Sequence, residues 1–238
     1  MALKAVLFDF NGVIINDERI HQRLIDKLLL EENLRPKDGE FKQFCLGRND
    51  RACLTNLLTE RGRVVSPEYL QKLIQRKAGF YKRELESMEA LPIYVGLADL
   101  LFQLRTTPIK LGIVSGALYS EIELVLTKAG IFEHFHVVVA GDDLSASKPE
   151  PDSYLLAVDR LNQHFPDLNL HPQECLAIED TPPGIEAAKR AGMSVVGVAN
   201  TYPFHMMQRQ ANWAVDYLSD LELDRVMAVF DRQVPTTD

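Results

Sequence analysis

The sequence predicts an α/β protein: a doubly wound parallel sheet with a small all-helical domain inserted after the first strand. Three observations carry this. Short apolar or β-branched runs recur along the chain and are continuous rather than alternating, as strands covered by helices on both faces require. Helical patterns lie between them, which gives a βαβα order. One long stretch near the N-terminus has helical patterning and no convincing strand.

The expected strands are 4–10 ("KAVLFDF"), 109–115 ("IKLGIVS"), 135–141 ("FHVVVAG"), 175–180 ("CLAIED"), 194–200 ("SVVGVAN") and a weaker 213–218 ("WAVDYL"). Helices are expected over 118–129, 151–164 and 182–191, with Gly130 and Gly192 placed to end the first and the last. The interrupting stretch reads as helices over 18–32, 50–61 and 67–88, punctuated by "RPKDG" and "GRVVSP". The expected division is a core of residues 1–16 and 91–238 and a helical cap of residues 17–90, with "LPIYVG" (91–96) as the return hinge. The tail "PTTD" is expected to be disordered.

Composition narrows the function. The chain has 238 residues, 46% of them hydrophobic and 25% charged, enough for one substantial core or two unequal ones. Its net charge of -8 and the lack of a basic cluster argue against nucleic acid. No apolar run approaches the ~20 residues that span a bilayer, and Lys4 and Asp9 interrupt the N-terminus too early for a signal peptide. The expected setting is the cytoplasm, as a monomer or weak dimer. Cys45, Cys53 and Cys175 are odd in number and contain no CxxC, so they read as reduced, buried thiols.

In a parallel sheet, ligands collect at the carboxyl ends of the strands. The polar residues there are Asp9, Ser115, Glu179 and Asp180, with Lys148 in the loop "SASKPEP". Each alone could be a helix cap or a solvated loop charge. Their recurrence at successive strand ends points to chemistry. An ionised carboxylate can attack phosphorus, and the incoming anion then needs positive charge. Magnesium held by Asp9 and Asp180, together with Lys148, would supply it. The Ser115 hydroxyl and the following backbone amides suit phosphoryl oxygens, while Gly12 and Gly116 allow close backbone approach.

The segments "DFNGVI", "IVSG", "SKPEPDSY" and "AIEDTPPGIEAAKRAGM", in that order, resemble the four motifs of the haloacid dehalogenase-like superfamily. The likeness is to its phosphatase and β-phosphoglucomutase-like branch with a helical cap. It implies a magnesium-dependent phosphatase acting on a small phosphorylated metabolite. Asp9 is then the nucleophile, Ser115 and Lys148 hold the phosphoryl group, and Asp9, Glu179, Asp180 and the backbone carbonyl of Asn11 surround the metal. In the cap, "IHQRL" places His21 where mutase-like members carry a histidine, and "LGRND" and "QRKAGFY" place Arg48 and Lys77, further candidates for substrate binding, where such enzymes hold the substrate's distal group.

The chain departs from the pattern at Asn11, where the family's usual D-x-D-G carries the aspartate that moves protons; Asn16 likewise replaces a common aspartate. An amide neither takes nor gives a proton at neutral pH, so a contribution of ~10²- to 10⁴-fold is lost from that position. Several readings stay open: His21 or Glu18 serves instead; the chain is a sugar-phosphate mutase; it is phosphonatase-like, with a cap lysine forming a Schiff base; it binds a phosphometabolite without turnover; or Asn11 is a substitution made to trap a complex. A P-loop and a serine-nucleophile elbow are excluded, since neither GxxxxGK[ST] nor GxSxG occurs.

Overall fold

A computed structural model of the chain describes residues 2–232. The tail "PTTD" lies outside them. The elements are β1 (Ala5–Phe8), α1 (Glu18–Glu31), α2 (Glu40–Phe44), α3 (Asp50–Glu60), α4 (Pro67–Ser87), α5 (Leu97–Arg105), β2 (Lys110–Val114), α6 (Tyr119–Lys128), β3 (Val137–Val139), α7 (Asp152–His164), β4 (Cys175–Glu179), α8 (Pro182–Arg190), β5 (Ser194–Val198), α9 (Phe204–Gln210), β6 (Trp213–Val215) and α10 (Leu223–Arg232). All six expected strands form. The sequence reading had not assigned α2, α5, α9 and α10.

The strands make one parallel sheet in the order β3-β2-β1-β4-β5-β6. Because side chains alternate across a strand, Val6 and Phe8 face one layer, with Ile113, Ile178 and the apolar sides of α5, α6 and α10. Ala5 and Leu7 face the other, with Val139, Tyr154 and Ile185. Both layers exclude water, which explains the unbroken apolar runs. Full burial of each such side chain is worth about 1.5–3 kcal/mol.

Helices α1–α4, inserted after β1, form a cap with its own core of Ile25, Leu28, Leu54, Leu57, Leu73 and Ile74. Local chemistry starts these helices. Asn49 caps α3 by accepting the Ala52 N–H at 2.9 Å, and Ser66 caps α4 ahead of Pro67. The two strands of chain joining cap to core pair with each other, Asn16 N–H donating to Pro92 O at 2.8 Å and Tyr94 N–H to Ile14 O at 3.0 Å.

One expectation is corrected. Cys45, at the end of α2, and Cys53, in the first turn of α3, are joined by a disulfide with their Cα atoms 4.3 Å apart. Spacing along the chain did not reveal that the turn between the two helices folds them together. Cys175 is a buried free thiol, as expected.

Gly96 begins α5 at φ 87°, and a Cβ there would lie 2.5 Å from the Ser219 backbone nitrogen. Gly96→Ala is therefore expected to cost about 1–3 kcal/mol, read as a fall of several degrees in the melting temperature.

Candidate active site

Hydrogen bonding continues past the strand ends and fixes what emerges there. Asp9 N–H donates to Ile178 O and Ser115 N–H to Val139 O, both at 2.9 Å. The sheet order reverses direction between β1 and β4, so Asp9 leaves one side of the switch point and Glu179 and Asp180 the other. Oxygen atoms of these three buried carboxylates lie within 4.8 Å of one another. The Lys148 ammonium is 2.9 Å from Asp9 Oδ1 and 2.6 Å from Glu179 Oε1, and donates to Val114 O at 3.1 Å. The Tyr154 hydroxyl, from α7, donates to the same Glu179 oxygen at 2.6 Å.

Burial, opposed by Lys148 and reinforced by Glu179, pushes the Asp9 carboxyl up to about 7. Burial and the two neighbouring acids raise Asp180 well above the ordinary carboxylate range. Burial alone would lower Lys148, but Asp9 and Glu179 outweigh it and keep the ammonium charged. One cation thus faces three acids.

The site fits a divalent metal. Asp180 Oδ1 is buried and has no hydrogen-bond partner, while Asp180 Oδ2 accepts from the Thr201 hydroxyl. At Gly12, φ 80°, a Cβ would fall 1.8 Å from Asp180 Oδ2, and at Gly184 one would fall 2.0 Å from Glu179 Oε2. Side chains are absent where the carboxylates need room. The Gly12 carbonyl is fixed by Asn200 Nδ2 at 2.6 Å.

Asn11 has a structural partner. Its Nδ2 donates to Asp17 Oδ1 at 3.0 Å and Oδ2 at 2.9 Å, and lies 3.1 Å from His21 Nε2. Asp17 is fully buried, and it also meets His21 Nε2 at 3.2 Å and accepts from the Tyr81 hydroxyl. The imidazole stacks on Tyr81, ring centroids 4.7 Å apart. Burial would raise Asp17, but His21, Tyr81 and Asn11 together hold it below the usual carboxylate range. The amide at position 11 supplies a donor where a second carboxylate would repel the first.

A cleft beneath the cap brings together Asp9, Asn11, His21, Arg48, Lys77, Gly116, Lys148 and Asp180. Ser115 lines a small adjoining cavity with Gly116 and Lys148, its hydroxyl accepting the Ala117 N–H at 3.0 Å; Glu179 lies fully buried. Lys77 is buried and already paired, 2.7 Å from Asp50 and 3.7 Å from Glu121 of α6. Arg48 is exposed and has no ion pair among the described residues.

The loop after Cys45 closes over the end of the cleft that holds Ser115 and Lys148. A Cβ on Gly47 would stand 3.0 Å from Thr181 Oγ1, one on Gly116 would stand 3.0 Å from the Asn49 backbone, and Asn49 N–H donates to Ser147 Oγ at 3.1 Å. Asp17, Tyr81, Tyr154 and Thr201 had not been singled out from the sequence. Thr201 was the most findable, since it follows β5 on the edge that drew attention to Asp9.

Residues 6–198 match the haloacid dehalogenase-like hydrolase family, and the chain belongs to it. Within that family it is similar to β-phosphoglucomutase-like members. It is 30% identical to a β-phosphoglucomutase of Bacillus subtilis over 226 residues, covering 93% of each chain. It is 29% identical to a validoxylamine A 7'-phosphate phosphatase of Streptomyces hygroscopicus subsp. limoneus over 199 residues, covering 84% of this chain and 87% of the relative. Its fold is similar to the crystal structure of a β-phosphoglucomutase from Clostridium difficile, at TM-score 0.83 and 24% identity over 97% and 98% of the two chains.

Two outcomes follow from this geometry. Magnesium is expected to raise the melting temperature of the unaltered protein and Gly12→Ala to abolish that rise, since the new Cβ occupies the place of an Asp180 oxygen. Asn11→Asp should cost about 1–3 kcal/mol in denaturant unfolding by replacing a donor to the buried Asp17 with a second acid. The double variant Asn11→Asp/Asp17→Asn, which restores one amide and one carboxylate, should recover most of that loss.

Proposed function

We propose that the chain is a magnesium-dependent phosphatase that hydrolyses a small phosphorylated metabolite, a sugar phosphate in class, through an aspartyl phosphate on Asp9. The observation that carries this reading is the Asp9 carboxylate at the sheet's switch point, paired at 2.9 Å with Lys148 beside two further buried acids. Supporting it, relatives include the β-phosphoglucomutase and the validoxylamine A 7'-phosphate phosphatase already described and a phosphorylated carbohydrates phosphatase of Thermotoga maritima.

In this reading Asp9, Glu179, Asp180 and the Asn11 carbonyl hold the metal, which when bound neutralises charge on the phosphoryl oxygens. Lys148, Ser115 and the Gly116 backbone hold the phosphoryl group. An Asp9 oxygen bonds to phosphorus as the bond to the leaving oxygen breaks, and that oxygen takes a proton. Water then attacks the same phosphorus, loses a proton, and frees inorganic phosphate and the carboxylate.

Asn11 cannot carry these protons. Glu18 and His21, the two cap-segment groups able to do so, both line the cleft; Glu18 Oε1 lies 2.6 Å from the Thr201 hydroxyl, whereas His21 Nε2 lies 3.1 Å from Asn11 Nδ2, beside the position that lacks the carboxylate. We assign the proton to His21. Arg48 and Lys77 face the distal part of the substrate, the cap comprises residues 17–90, and the setting is the cytoplasm.

Asp9→Asn should reduce magnesium-dependent phosphate release from a sugar-phosphate panel by at least ~10³-fold, and His21→Ala should lower kcat by roughly 10- to 100-fold. Undiminished release by Asp9→Asn would refute the phosphoryl-enzyme. Conversion of a hexose 1-phosphate to the 6-phosphate without free phosphate would identify a mutase instead.

A further inference from the structure

The Cys45–Cys53 bond joins the end of α2 to the start of α3, so it closes the loop that carries Gly47, Arg48 and Asn49. That loop touches three core segments at the phosphate end: Gly47 on Thr181, Asn49 on Gly116, and Asn49 N–H on Ser147. Ser147 directly precedes Lys148. Only 6% of Cys45 and 2% of Cys53 is exposed, yet both line the cleft. The sulfurs are therefore reached through the cleft and not from the outer surface of the cap.

We propose that Cys45–Cys53 is a redox-modification site, opened by a small dithiol entering through the cleft, and that opening it releases the 46–49 loop and weakens binding of the phosphorylated substrate. The last clause rests on the function proposed above; the modification itself does not. One thiolate of the dithiol attacks a cystine sulfur and expels the other as a thiolate, giving a mixed disulfide. The second thiolate then displaces the protein sulfur. Two electrons and two protons pass to the cysteines, and the reductant leaves as its cyclic disulfide. Cys175, fully buried on β4, takes no part.

The arrangement couples two ligands. Substrate in the cleft stands between the reductant and the sulfurs, so it protects the bond. By reciprocity, a protein with the bond opened holds substrate less tightly.

The test compares the full chain treated with oxidised or with reduced dithiothreitol, by alkylation under denaturing conditions and by amide hydrogen exchange. We expect one alkylated cysteine in the oxidised form and three in the reduced form. Amides of residues 46–49 should exchange roughly 10- to 100-fold faster after reduction, with the remainder of the cap unchanged. Cys45→Ser/Cys53→Ser should exchange like the reduced form under both treatments. Inorganic phosphate with magnesium should slow the reduction and should bind the reduced form at least severalfold more weakly.

Three free thiols after oxidation, unchanged exchange at 46–49, or a rise across the whole cap would each overturn the proposal, the last by making the bond a general staple. Equal phosphate affinity in both forms would overturn the coupling to substrate. Failure of phosphate to bind either form, with the loop still loosened by reduction, would refute the proposed function and leave the redox site standing.

Discussion

The structure depends on keeping three carboxylates out of water beside a single ammonium. Two like charges about 4 Å apart repel by roughly 4 kcal/mol at an effective dielectric of 20, and burial adds the cost of lost hydration. Lys148 between Asp9 and Glu179 offsets part of this, and Tyr154 offsets more at Glu179. Asp180, with one oxygen unbonded, remains uncompensated. The surrounding architecture serves that cluster: parallel strands bring the acids to one edge, Gly12 and Gly184 clear the space around them, and the cap excludes solvent. A protein stabilised only by its core would gain nothing from this arrangement, so the burial of charge is itself the argument for a cationic ligand.

The second buried carboxylate group lies at the junction of cap and core, and it gives Asn11 a reason that chemistry alone did not. Asp17 accepts from an amide and a phenol and meets an imidazole, which matches its charge from several sides in the absence of water. The amide is therefore part of how the cap root is held. Asn11 follows β1, Asp17 precedes α1, Tyr81 belongs to α4, and all converge on one carboxylate. The same position thus ties the cap to the strand that bears Asp9.

Much of this was legible in the sequence because its causes are local. A strand covered on both faces must be continuously apolar, and all six such runs became strands. Asp9, Ser115, Glu179 and Lys148 were legible because strand ends in a parallel sheet share one edge. The unassigned helices lacked that clarity: α2 has five residues and α9 seven, while α5 directly follows the segment read as a hinge. α10 does carry a buried apolar stripe of Leu223, Val226 and Phe230, at the spacing of an amphipathic helix. Asp17 and Tyr81 are 64 residues apart, and the cysteine pair closes only when two helices meet; such contacts belong to tertiary structure and leave no periodic trace.

The charges of the cleft suggest how ligand and cap depend on each other. Lys148 is matched by Asp9 and Glu179, and Lys77 by Asp50 within the cap and Glu121 from the core. Arg48 is the cation at the cleft without an ion pair among the described residues. A ligand anion can engage Arg48 without breaking any such contact, but it can engage Lys77 only by drawing its ammonium from acids that already hold it. Glu121 Oε1 has no hydrogen bond of its own, so its 3.7 Å contact with Lys77 is its main compensation for burial, and that contact crosses from cap to core. The buried ammonium that lines the cleft is thus the one that seats the cap. Binding there and cap position cannot be independent, because they draw on the same charge.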